Sequence, residues 1–335
     1  MKKLLALLLI VTTCTILLAS CGLIKPRTKI KIAYMNGPTG MGIAKLIHDN
    51  GGVEGNDKYE FVKYSDASLA TGDLLAGKVD MACIPTNTAA TLYNKKDQKI
   101  QTLAINCLNS LFLMTKTGVE INSLADLEGK TIYTIENGTP AVILKHLLAK
   151  SNVNATVRTT IGEGSDEKSI AAPTDLAPLL IAGKVDIALV PEPVATAAPL
   201  KIAQQEKDYT YKVAINLTDA WSQISDSPVA MGCIAVNKNF AAEHKREINS
   251  FLKEYKASID FISSSENIDN AAQYIVDAGV LDAVPAAKKS LTNLGSAISY
   301  IDGAEMKTIL TDFYNAIGAK LIGGKLPDDE FYYGK

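Results

Sequence analysis

Three observations predict a fold of two similar α/β lobes: a repeated segment, the apolar runs inside it, and the glycine and proline that bound those runs. The pentapeptide AGKVD stands at 76–80 and again at 182–186, within LLAGKVDMACIPTNTAATL (74–92) and LIAGKVDIALVPEPVATAA (180–198). Gly77 and Gly183 each stop an apolar helix with the left-handed turn that glycine tolerates best. The runs 79–84 and 185–190 are too short for helices and rich in branched residues, so they read as buried strands ended by Pro85 and Pro191. Helix, turn, buried strand and helix is the rhythm of a parallel sheet covered on both faces.

In chain order, the pattern predicts a strand at 29–35, a glycine loop at 36–40 and a helix at 41–50. A strand at 59–65, a helix at 69–77, the strand into Pro85, a further helix and a strand at 101–106 follow. SLADLEGKTI then leads into a strand at 131–135, and Gly138-Thr139-Pro140 opens a helix with proline where a first turn tolerates it. A strand near 156–161, a helix at 175–183 and the strand into Pro191 repeat the plan, with further strands at 211–216 and 229–236. Ala104-Ile105-Asn106 recurs as Ala214-Ile215-Asn216, which marks where the chain leaves and re-enters the first lobe. The expected boundaries are 21–110 for the first part of lobe one, 111–218 for an inserted lobe two, and 219–335 for the return crossover and C-terminal helices. Two crossovers make a hinge.

Length agrees with two domains at 335 residues, and 47% hydrophobic with 21% charged residues excludes a disordered chain. Net charge is −2, and −4 once Lys2 and Lys3 are lost with residues 1–20, so nucleic acid is not an expected partner. The opening MKKLLALLLIVTTCTILLASC has a charged start, an apolar centre and small residues before Cys21, the layout of a secretory signal peptide over 1–20. Leu18-Ala19-Ser20-Cys21 resembles the bacterial lipobox, which implies cleavage before Cys21 and its lipidation by two or three acyl chains. Cys83, Cys107 and Cys233 fall in apolar runs without metal or redox spacing and read as buried small hydrophobes. His48, His146 and His244 sit on separate helices, so no metal or cofactor is expected. No G-x-S-x-G elbow or evident Ser, His and Asp grouping supports hydrolysis.

The lipobox, the paired AGKVD units, SLADLEGKTI, Pro191-Glu192-Pro193 and LPDDEFYY near the end, in this order, resemble the substrate-binding lipoproteins of ABC importers. The branch is that of nitrate, alkanesulfonate, taurine and thiamine-precursor binders. The resemblance implies a type II periplasmic-binding-protein fold with a ligand cleft between hinged lobes. It also implies a monomer, lipid-anchored on the outer face of a bacterial membrane of Gram-positive type, that hands a small molecule to a permease and its ATPase. The same fold serves as a menaquinone-pathway enzyme and a pyrimidine synthase, and a ligand-sensing lipoprotein is a third reading.

In open parallel sheets, ligands collect beyond the carboxyl ends of the strands, where loops lead into helix starts rich in free N–H groups. The loops so placed nominate Asn36, Thr39, Gly40, Met41, Ser65, Thr86, Asn87, Asn137, Gly138 and Thr139 as ligand contacts. Asn106, Asn109, Trp221 and Ser227 are second candidates at the crossovers. Glu192 either receives a ligand N–H group or pairs with a lysine or water, and Trp221 is either core or an aromatic wall. Arg27, Arg158 and Arg246 lie outside the predicted pocket loops, so no guanidinium grip on an anion is evident.

Overall fold

The computed structural model describes residues 28–65, 67–97, 99–136 and 139–334. The signal peptide, the lipidation residue Cys21, and the candidates Asn137 and Gly138 lie outside the described residues. Thirteen strands are named in chain order: β1 Ile30–Met35, β2 Tyr59–Tyr64, β3 Met81–Pro85, β4 Ile100–Leu108, β5 Leu111–Lys116, β6 Thr131–Tyr133, β7 Thr156–Arg158, β8 Thr160–Ile161, β9 Lys168–Ser169, β10 Ile187–Pro191, β11 Tyr211–Asn216, β12 Ala230–Asn237 and β13 Ile298–Ile301. The helices that bear on the site are α1 Pro38–Met41, α2 Ala67–Leu75, α3 Thr86–Lys95, α4 Thr139–Lys150, α5 Pro173–Ile181, α6 Val194–Gln204, α7 Lys245–Ser263, α8 Ile268–Asp277, α9 Val284–Leu294 and α10 Gly303–Ile317.

Two α/β lobes result. The first holds a six-stranded sheet ordered β13-β4-β12-β3-β1-β2, the second a five-stranded sheet ordered β11-β5-β10-β6-β7. The strand expected near 156–161 is divided: Thr156–Arg158 joins the second sheet as β7, and Thr160–Ile161 pairs with Lys168–Ser169 in a separate β8-β9 hairpin. The parallel sheets expected from the repeat are instead mixed. β2, β1 and β3 run parallel, as do β7, β6 and β10, but β12 pairs antiparallel with β3 and β5 antiparallel with β10. β12 and β5 are the strands that enter each sheet directly after a crossover, so they approach from the opposite end.

The repeated text builds the same cap twice. Lys78 N–H donates to Asp73 O and Gly77 N–H to Leu74 O; Lys184 N–H donates to Leu179 O and Gly183 N–H to Leu180 O. This double bond pattern closes a helix when the residue after it turns left-handed, and Gly77 and Gly183 have φ of 69° and 66°. The strands that follow are buried on both faces. Met81 and Cys83 face a core with α7 and α8, whereas Ala82 and Ile84 face a core shared with α10. In β10, Ile187 and Leu189 join that shared core, and Ala188 and Val190 pack with α5 and α6.

The crossovers are joined to each other. β4 passes to β5 through Asn109 and Ser110, and β11 returns to β12 through residues 217–229. Asn109 holds φ of 37°, its N–H donates to Val229 O at 3.0 Å, and its Oδ1 accepts Val229 N–H at 3.0 Å. Trp221 is buried between the lobes against His146 of α4 and Phe313 of α10, with ring centroids 5.5 and 6.0 Å away, and its Nε1–H donates to Ser227 O at 2.8 Å.

The two caps differ in what an added methyl meets. At Gly77 nothing lies within 4 Å of an added Cβ, whereas at Gly183 it would come within 2.8 Å of the Tyr209 ring. Gly77→Ala is therefore expected to cost about 1 kcal/mol for the left-handed backbone alone. Gly183→Ala should cost more, because Tyr209 must also move off its hydrogen bond to Ile181 O. Urea unfolding of both variants checks this, and equal losses would remove the steric part of the argument.

Candidate functional site

The carboxyl ends of β1, β2 and β3 in the first lobe and of β6 and β10 in the second open on one cavity of about 280 Å³ between the lobes. Met35, Asn36 and Thr39 reach it from β1 and α1, Ser65 follows β2, and Pro85 ends β3. From the second lobe come Ile135, Thr139 at the start of α4, Ala171 to Thr174 leading into α5, and Pro191 to Val194 after β10. The C-terminal helices add Val280, Leu281 and Asp282, between α8 and α9.

Of the residues nominated from sequence, Asn36, Thr39, Ser65, Thr139 and Glu192 line this cavity. Eight others do not, each for a packing reason. An added Cβ on Gly40 would lie 1.8 Å from Met35 O, so this glycine lets α1 fold back on β1. Met41 is fully buried in the first-lobe core. Thr86 is fully buried, donating to Ala230 O and accepting Tyr314 O–H at its own carbonyl. Asn106 is buried and donates to Tyr255 Oη at 2.9 Å and Thr39 O at 3.3 Å, which secures the turn that presents Thr39. Asn109, Trp221 and Ser227 belong to the hinge described above. Asn87 is turned to the other lobe, where its Oδ1 accepts the Thr139 hydroxyl at 3.1 Å.

Glu192 forms the densest polar contact at the cavity. Its side chain has no exposed surface and accepts four hydrogen bonds. Oε1 accepts Thr196 Oγ1–H at 2.8 Å and Asn293 Nδ2–H at 2.8 Å; Oε2 accepts Thr196 N–H at 3.2 Å and Ser290 Oγ–H at 3.2 Å. Thr196 lies on α6 of the second lobe, and Ser290 and Asn293 lie on α9, whose apolar face is part of the first-lobe core. The carboxylate therefore ties the lobes together. Burial pushes its pKa above the ordinary value, against the four donors that pull it down.

Lys201 of α6 and Asp282 meet across the mouth at 3.9 Å, both largely exposed, so this pair adds little stability. Cys107 lines the cavity, but burial pushes its thiol up to about 12, leaving it without thiolate character at neutral pH. Among the described residues, no group of three or more His, Cys, Asp or Glu could hold a metal ion, and no helix is long and apolar enough to cross a membrane.

Sequence reasoning missed Ser110, Lys201, Asp282 and the partners Ser290 and Asn293. The last three belong to the helical tail, which reads as packing on the first lobe alone. No local signal in that tail points to the cleft.

The sequence profile described as NMT1/THI5 like matches residues 58–266. No curated protein gives a significant sequence match. Among solved structures, an ABC transporter protein from Parabacteroides distasonis superposes with a TM-score of 0.70 at 21% identity, covering 92% of this chain and 99% of its own. The periplasmic aliphatic sulphonate binding protein SsuA from Escherichia coli gives 0.68 at 14% identity, covering 91% and 92%. The periplasmic nitrate-binding protein NrtA from Synechocystis PCC 6803 gives 0.58 at 16% identity, covering 84% and 74%. These likenesses identify the fold as that of type II periplasmic binding proteins.

The raised Glu192 pKa means that the folded protein holds a proton there more tightly than the unfolded chain. Its contribution to stability is then complete at low pH and is lost as pH rises through the raised value. As pH rises from the ordinary glutamate value through the raised one, Glu192→Gln should gain unfolding free energy relative to wild type. Parallel denaturation curves at each pH check this, and a difference that does not change with pH would show that Glu192 titrates normally.

Proposed function

This chain belongs to the NMT1/THI5-like family, and from that premise we propose that it is an extracytoplasmic solute-binding receptor of an ABC importer. The observation that carries the reading is the cavity itself, lined by strand ends of both lobes. The two crossovers, joined by Asn109 and Val229, are where the lobes would hinge as a solute enters and leaves. A bound solute favours the closed form by what it gains from touching both walls at once. The similarity in fold to a sulphonate-binding and a nitrate-binding protein supports the receptor class without choosing the cargo.

The receptor binds and releases without covalent chemistry. Its closed form is held by Thr139 to Asn87, by Glu192 to Ser290 and Asn293, and by Lys201 to Asp282. Opening breaks all three sets, so the energy of ligand contact is partly offset by the contacts already present in the closed form. The lipobox-like sequence ending at Cys21 supports anchoring by acyl chains on the outer face of a bacterial membrane of Gram-positive type. A permease and its ATPase would take the cargo from the closed receptor, which acts as a monomer.

A solute at about one hundred times its dissociation constant should add roughly 2.7 kcal/mol to unfolding. A thermal-unfolding panel of sulfonates, nitrate, pyrimidines, amino acids and vitamin precursors on refolded protein tests the receptor reading. Failure of every class would count against it. With a responding ligand in hand, Thr139→Val should raise Kd about two- to tenfold, the worth of one neutral hydrogen bond across the closed cleft. Unchanged affinity would show that Thr139 and Asn87 do not report closure. Mass spectrometry of the mature protein should find Cys21 at the amino terminus carrying two or three acyl chains, and an unmodified Cys21 would refute the acyl anchor.

A further inference from the structure

We propose that the cleft is built for an electrically neutral, mostly apolar solute of about ten non-hydrogen atoms; the inference rests on the receptor reading above and names its class of cargo. The size follows from the cavity, whose roughly 280 Å³ is the liquid share of about nine water molecules. The polarity follows from the wall, where Met35, Ile135, Ile181, Val194, Met231 and Leu281 stand among prolines and alanines. Its polar side chains are chiefly hydroxyls and amides: Asn36, Thr39, Ser65, Ser110, Thr139 and Thr174.

The charge of the cargo follows from what the protein has already done with its own charges. Among the described residues that line the cavity, the carboxylates and amines are Glu192, Lys201 and Asp282. An ionised carboxylate has about four acceptor positions, and Glu192 has four donors in place, so it has none left for a ligand amine. Lys201 and Asp282 face each other at the mouth. No arginine is present on the described wall. Arg158 lies at the far strand β7 and pairs with Glu167.

Two helix starts that could hold an oxyanion are occupied by the protein's own acids. Glu192 accepts Thr196 N–H in the first turn of α6. Asp175 accepts Ala171 N–H at 3.0 Å and Ala172 N–H at 2.9 Å ahead of α5, and both alanines line the cavity. An anion would thus have to approach the carboxylates of Glu192 and Asp175, and the cation on the described wall is Lys201, at the exposed mouth beside Asp282. A cation would find the buried acid already satisfied. A neutral solute gives up the least hydration on entering such a site and gains from its apolar wall.

The test strips the refolded chain of small molecules, exposes it to the low-molecular-weight fraction of a bacterial extract, and identifies what is retained by mass spectrometry. Ala177→Trp, which places an indole in the cavity, serves as the blocked control once circular dichroism shows that it is folded. The expected result is a compound neutral at pH 7, absent from the control, whose Kd changes less than about twofold between 50 and 500 mM salt. Matched probes should agree, with benzenesulfonamide binding at least about tenfold more tightly than benzenesulfonate, and benzyl alcohol more tightly than benzoate or benzylamine. A retained sulfonate, carboxylate, nitrate or amine would overturn the neutral class and leave the receptor standing. Nothing retained above the control would overturn the receptor reading, and this inference with it.

Discussion

A carboxylate shut away from water must find its hydrogen-bond donors inside the protein, and Glu192 finds them on both lobes. Thr196 supplies two from the second lobe, and Ser290 and Asn293 supply two from a helix that packs on the first. The arrangement of α9 over the cleft meets this requirement, and parting the lobes there would leave the buried carboxyl group with half its donors. Every other contact across the cavity is weaker. Thr139 to Asn87 is one neutral hydrogen bond, and Lys201 to Asp282 is an exposed ion pair.

The same carboxylate links architecture to chemistry. It sits after β10, the equivalent in the second lobe of β3 in the first, where the chain has Thr86 and Asn87 instead. Thr86 went into the core and Asn87 turned across to Thr139, so the first lobe spends its polar residues on packing and closure. The cavity between them is lined chiefly by hydroxyls, an amide and aliphatic side chains, with Glu192, Lys201 and Asp282 as its titratable groups.

Hinge and core are continuous. Trp221 lies where the returning crossover meets α4 and α10, and the apolar cluster around it includes residues of both lobes. With Asn109 clamped to Val229, the crossovers form a compact pivot rather than two loose linkers. Rotation about such a pivot is expected to open the strand-end face while leaving the core around Trp221 packed.

The sequence by itself determined the local units. Gly77 and Gly183 dictate two left-handed helix stops, the doubly buried runs before Pro85 and Pro191 dictate central strands, and their order in the chain implies two lobes with strand ends facing a cleft. These features depend on neighbours a few residues away, which is why they are legible. Tertiary structure alone decided what depends on distant partners: the antiparallel entry of β5 and β12, the burial of Trp221, the packing of Gly40, and the capture of Glu192 by residues 98 and 101 positions later. An acid between two prolines reads the same whether it faces water, a ligand or another helix. Only the docking of α9, driven by the apolar face it buries on the first lobe, brings Ser290 and Asn293 within reach of the Glu192 carboxyl group.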